Sequence, residues 1–230
     1  MKNKLVFIGN SIVNGFPMSR GRSFPGLVRA ALKEGVDAGG KVPLYADVIN
    51  KGVNGETTLD ILRRFDYDVL AHEPHAVFIM TGTNDFIYRE ADPKTCIENL
   101  EKMARMAEGA GIVPVFLTPL LVDAEKAGRM WMAGIGIDYG QINGEVEAFA
   151  EMIRRSGRLY VDTGAAYEGF ADGSAELAGQ PLQEENELPA SPDRAYLDGV
   201  HPTPEGQQFL AGTVLAWVTA HAAELGLLKQ

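Results

Sequence analysis

Ala76-Val77-Phe78-Ile79-Met80 is apolar at every position, so a strand there buries both of its faces and needs a covering layer on each side. Leu5-Val6-Phe7-Ile8 is a second such run and ends in Gly9-Asn10-Ser11. Strands of this kind belong inside parallel sheets, where the connections are crossover helices. Further strands are expected over residues 45–49, 112–117 and 159–161. Stripes at helical spacing lie between and after them: Phe24, Val28 and Leu32; Leu59, Leu62, Phe65 and Val69; Leu100, Met103 and Ala107; Ile142, Val146, Phe149 and Ile153; Leu210, Val214, Trp217 and His221. Five strand–helix repeats predict an α/β protein of three layers, α/β/α, around a five-stranded parallel sheet.

A chain of 230 residues has enough material for one substantial core. It reads as a single domain over 1–230, with irregular insertions near 119–141 and 164–196. Acidic residues outnumber basic ones 31 to 21, a net charge of −10, which argues against a nucleic-acid partner because phosphate binding needs a basic face. No apolar run approaches the roughly 20 residues of a membrane span. The first strand starts by Lys4 or Leu5, so no leader is expected and a cytoplasmic location is. A lone cysteine, Cys96, excludes an internal disulfide and a cysteine zinc site. Its helical setting makes it a buried structural thiol.

In a parallel sheet the turns after the strands share one edge, and open α/β sheets keep their sites there. Ser11 follows the first strand, Gly52 the second and Asn84 the third, while Asp198 and His201 lie on the loop that returns after the fifth. A serine hydroxyl needs a base, histidine is the natural one at neutral pH, and a carboxylate fixes its tautomer. Asp198 is three residues before His201, within reach of the imidazole Nδ1. Pro202 disfavours helical backbone at His201 and keeps it on the loop. The Ser11 N–H, the Gly52 N–H and the Asn84 amide are candidate donors to an oxyanion.

These blocks together resemble the SGNH hydrolase superfamily, the GDSL-type esterases and lipases. Gly9-Asn10-Ser11 is similar to its first block, Gly52 to the oxyanion glycine of its second, Gly82-Thr83-Asn84-Asp85 to its GxND block, and Asp198-Gly199-Val200-His201 to its DxxH block. The resemblance extends from residue 9 to 202. It implies a flavodoxin-like sheet of order 2-1-3-4-5 and a Ser11–His201–Asp198 triad. It also implies hydrolysis of a small-molecule carboxylic ester or thioester with no metal or cofactor. Asn10 departs from the family pattern, which has Asp there; an amide can hold the same turn through hydrogen bonds. No GxSxG elbow surrounds Ser11, so this is not the α/β-hydrolase pattern. The triad leaves open whether water or another alcohol accepts the acyl group, so an O-deacetylase of carbohydrates or metabolites, or an acyltransferase, is an alternative. A non-catalytic flavodoxin-like binding protein is a more distant one; residues 9–15 match neither G-x-G-x-x-G nor a P-loop.

Met130, Trp131 and Met132 read as core, as an interface in a homo-oligomer, or as an apolar wall for the substrate. Arg20 and Arg22 read as a solvated loop or as a greeting for an anionic substrate. His72 and His75 belong at the opposite sheet edge, and His221 packs within its helix. Asp85 and Gly55 read as turn-shaping residues, and the acidic run 184–187 as solvent-facing.

Overall fold

The computed structural model describes residues 3–34, 44–131, 136–177 and 193–227. The acidic run 184–187 and Met132 lie outside the described residues. Five strands form one parallel sheet: β1 (Asn3–Gly9), β2 (Ala46–Gly52), β3 (Ala76–Met80), β4 (Val113–Leu117) and β5 (Tyr160–Val161), in the order β2-β1-β3-β4-β5. This is the order that the family resemblance implies. The register sets Gly9 beside both Gly52 and Met80, so the ends of the three strands that lead into the site are level.

Period-2 alternation divides the strand residues between two cores. Leu5, Phe7, Phe78, Met80, Val115 and Leu117 face one side, with Phe7 stacked on Phe78 at 4.6 Å between ring centres. They are covered by α2 (Phe24–Glu34), α9 (Thr163–Ala171) and α10 (Pro204–Ala220) through Phe24, Val28, Phe170, Leu210 and Val214. Val6, Ile8, Val77, Ile79 and Phe116 face the other side. There they meet α3 (Thr58–Arg63), α4 (Phe65–Asp68), α6 (Pro93–Gly109) and α8 (Tyr139–Arg155) through Ile61, Phe65, Leu100, Met103, Val146 and Phe149. Each aromatic or aliphatic side chain buried this way contributes about 1.5–3 kcal/mol, so the two-sided strands hold the layers together.

Helix starts follow sequence chemistry. Asp92 and Thr203 accept first-turn N–H groups, and Pro93 and Pro204 occupy the positions that need no donor. The helix expected over 57–69 is instead two short ones, α3 and α4, broken at Arg64. Within α3, Leu59 is exposed and Ile61 is buried. Of the segments expected to be irregular, 164–196 begins with the helix α9, and 119–141 contains α7 (Ala124–Met130). Cys96 is buried; burial and the nearby Asp85 charge push its thiol far above the ordinary range. Among the described residues, no helix is long and apolar enough to cross a membrane.

Candidate active site

β1 stops at Gly9, and α1 (Ser11–Asn14) begins at once. Asn10 is its N-cap, its Oδ1 accepting the Ile12 N–H at 3.1 Å. Ser11 is therefore the first residue of a helix, not a turn residue. An N–H in that position has no acceptor within the helix and points out of its end.

His201 comes from the loop before α10. Its Nε2 lies 2.9 Å from Ser11 Oγ and its Nδ1 2.7 Å from Asp198 Oδ2. The other carboxylate oxygen, Oδ1, accepts the backbone N–H groups of Val200 at 2.9 Å and His201 at 2.8 Å. Burial alone would raise the Asp198 carboxyl, but its hydrogen bonds with the His201 ring and those two N–H groups hold it below its ordinary value. An ionised Asp198 fixes the proton of the ring on Nδ1 and leaves Nε2 to accept from the serine. Ser11 and His201 are both buried, so this chain of bonds is sheltered from bulk water.

Asn84 lies in the first turn of α5 (Thr83–Tyr88), and its Nδ2 donates to the Glu56 carbonyl at 2.9 Å. The amide keeps a second N–H and lines the same cavity as Ser11. Gly52 does not reach that cavity. β2 runs three residues further than its sequence pattern predicts, so Gly52 is still in the strand, and its N–H donates to Asn50 Oδ1 at 2.8 Å. The turn that follows brings Gly55, at φ 80°, to the cavity wall instead. The missed signal is Asn54-Gly55 itself, the first strong turn pair after the strand.

The loop carrying Gly55 is braced from below. Thr58 gives its N–H to Asp85 Oδ2 at 2.9 Å and its hydroxyl to Asp85 Oδ1 at 2.6 Å. Asp85 is buried, and desolvation raises its carboxyl despite these bonds. Arg64 donates to Glu56, Asp68 and the carbonyls of Gly9 and Lys51. Arg20 similarly fastens Asn14 Oδ1 to the Gly52 carbonyl; it is a tie between the first two blocks and lies outside the cavity lining.

The cavity, about 630 Å³, has Ser11 and His201 on its lining. Phe16, Ile87, Trp131, Ile137, Tyr139 and Val200 give it apolar walls, and Asn54, Tyr88 and Arg89 add polar groups. The Phe16 and Trp131 rings lie 4.8 and 5.8 Å from the His201 ring. Trp131 thus borders the site, whereas its neighbour Met130 is exposed and outside the lining. Burial, then the charge of Asp198, raises the Tyr139 phenol, which remains neutral. His72 and His75 sit half-buried at the far end of β3, and His221 stacks on Trp217 at 4.0 Å.

The five-stranded parallel sheet of order β2-β1-β3-β4-β5, covered by helices on both faces, is the fold of the SGNH-type hydrolases. The chain belongs to the GDSL-like lipase/acylhydrolase family, whose model matches residues 7–209, and it is a carboxylic ester hydrolase. It is 26% identical to an arylesterase of Vibrio mimicus, over 95% of this chain and 89% of that one. It is 29% identical to an acetylxylan esterase of Geobacillus stearothermophilus, over 71% and 77%. A shorter stretch of 77 residues is 39% identical to a lipoprotein of Bacillus subtilis, spanning about a third of that protein (32%). The crystal structure of the lipase/acylhydrolase from Enterococcus faecalis superposes with a TM-score of 0.67 at 21% identity, covering 95% of this chain and 96% of that one.

Proposed function

We propose that the protein hydrolyses small or short-acyl carboxylic esters or thioesters through a Ser11–His201–Asp198 triad. The observation that carries this reading is the unbroken hydrogen-bonded chain from Ser11 Oγ through both ring nitrogens to Asp198. Ser11 Oγ attacks the carbonyl carbon as His201 Nε2 takes its proton, and Asp198 stabilises the imidazolium. The Ser11 N–H, the Gly55 N–H and the second N–H of Asn84 hold the oxyanion. His201 then protonates the leaving alkoxide, or the thiolate of a thioester, as its bond to the acyl carbon breaks, giving an acyl-enzyme. Water, deprotonated by His201, attacks that ester; collapse returns the proton to Ser11 Oγ and frees the acid.

The apolar walls suit an acyl chain or an aryl group, in keeping with the arylesterase relative. The acetylxylan esterase relative favours a second reading, O-deacetylation of a carbohydrate or other metabolite by the same steps. In Ser11→Ala, p-nitrophenyl acetate hydrolysis and labelling by a fluorophosphonate probe are both expected to be lost while the circular dichroism spectrum stays unchanged. Wild-type turnover in that variant would refute the mechanism. A panel of acyl-length and acetylated-sugar esters separates the two substrate readings.

A further inference from the structure

The loop bearing Asp198 and His201 has no helix or strand of its own, so its shape depends on what grips it. Internally, Leu197 N–H donates to the His201 carbonyl at 2.8 Å, and Tyr196 and Pro202 form a single antiparallel bridge. The external grip comes from the segment after β4. The Tyr196 hydroxyl donates to the Leu121 carbonyl at 2.6 Å, and the Asp123 N–H donates to the Gly199 carbonyl at 2.8 Å. The backbone of α7 presses on the loop so closely that a Cβ at Gly199 would meet the Ala127 nitrogen at 2.3 Å.

Lys126, in the first turn of α7, completes this grip. Its ammonium donates to Asp193 Oδ2 at 2.9 Å and, in a short bond, to the Tyr196 carbonyl. Asp193 Oδ1 in turn accepts the N–H groups of Ala195 and Tyr196, at 2.8 and 3.2 Å. The Lys126 side chain is only 15% exposed, and an ammonium so enclosed depends on these partners. Burial opposes ionisation of Asp193, yet Lys126 and the two N–H groups hold its carboxyl below its ordinary value. Lys126 is absent from the cavity lining, so it has no direct part in holding substrate.

We infer that Lys126 is a positioning residue for the reaction. By tying Asp193 and the Tyr196 carbonyl to α7, it fixes the start of the loop two residues before Asp198, and through the loop it aims His201 at Ser11. The inference rests on the triad reading above. Small displacements of a reacting group are costly: about 1 Å can lose a hundredfold in rate.

Lys126→Met keeps the aliphatic stem and removes the ammonium, while Lys126→Arg keeps a charge. In K126M, kcat is expected to fall about 10- to 100-fold with KM nearly unchanged. Fluorophosphonate labelling slows in parallel, and the strongly downfield proton signal of the His201–Asp198 hydrogen bond broadens or disappears. K126R recovers most of the loss. D193N removes the clamp from its other end and is expected to reproduce K126M, the double variant losing no more than the worse single one. Wild-type kcat and labelling in K126M, or additive losses in the double variant, would overturn the proposal. Circular dichroism checks folding at the assay temperature, and if K126M is unfolded, D193N and K126R decide by the same kcat, KM and proton-signal criteria. A wild-type protein that fails to label at Ser11 would overturn the triad reading and this inference with it. That result is told apart by appearing before any change at Lys126.

Discussion

The side-chain oxygen of Asn10 accepts the Ile12 N–H at 3.1 Å, so the residue before the serine is the cap of the helix on which the serine sits. That bond explains how an amide serves where the family pattern has a carboxylate. The position needs an acceptor, and both side chains supply one.

Asn10→Ala is therefore expected to lose about 1 kcal/mol of stability and to lower kcat by loosening the Ser11 turn. Asn10→Asp keeps the acceptor, adds a charge at a helix start that favours it, and should remain as stable as the wild type with activity of the same order. Thermal unfolding and p-nitrophenyl acetate turnover check both. An unchanged melting temperature in Asn10→Ala would remove the cap from the account.

Gly52, the last residue of β2, and Gly55, in the turn after it, are expected to fail differently. A Cβ on Gly52 would meet the Asn14 nitrogen at 2.2 Å, so Gly52→Ala should cost about 1–3 kcal/mol through overpacking. At Gly55 the nearest atom would be Tyr88 Oη at 3.6 Å. The difficulty there is the φ of 80°, worth about 1–2 kcal/mol, and a re-aimed N–H. Gly55→Ala should thus lose about 100-fold in kcat in a protein that still folds. Unfolding curves and steady-state kinetics on both variants decide; wild-type kcat in Gly55→Ala would remove Gly55 from the oxyanion hole.

Trp131 borders the cavity beside His201. Trp131→Ala should lower kcat/KM about tenfold for a hexanoyl ester while acetyl ester hydrolysis changes little, because the short acyl group does not need that wall. Equal losses across a p-nitrophenyl acyl series would show that the ring only packs the loop.

Asp85 supplies a pH signature. Desolvation raises its folded-state pKa above the ordinary 3.8, so between those two values the folded protein holds more protons than the unfolded one. Stability from this group therefore falls as pH rises through that window and is level above it. Asp85→Asn does not titrate. The difference in urea midpoint between wild type and Asp85→Asn should shrink from about pH 3.8 upward and then flatten. A difference constant from about pH 3.5 to 7 would contradict the raised value.

The parallel sheet and its two covered faces were legible because residues 5–8 and 76–80 are apolar on both sides, which leaves few alternatives to a covered parallel strand; its order was implied only by the family resemblance. That Ser11, Asn84 and His201 come to one cavity, with Asp198 against His201, was legible because strand ends share an edge. The error at Gly52 came from placing the end of β2 at Ile49. Asn50 and Lys51 look like turn residues, yet pairing with β1 carries the strand on to Gly52. Phe16, Tyr88 and Tyr139 had no local signal, since an aromatic on a loop or at a helix end reads the same whether it meets a cavity or water.

Taken alone, the sequence determined what depends on short-range pattern: the five strands and the long helices between them, though not where β2 ends or that α3 and α4 are separate. Only the tertiary structure decided that Gly55 faces the cavity instead of Gly52, that Asn10 caps α1, that Trp131 lines the pocket while Met130 does not, and that Lys126 grips the His201 loop from α7. Each of these depends on a contact or on a strand end, helix start or side-chain direction that is set only when β1, β2 and the segment after β4 pack together. Hydrophobic period and turn chemistry carry no record of such distances; packing does.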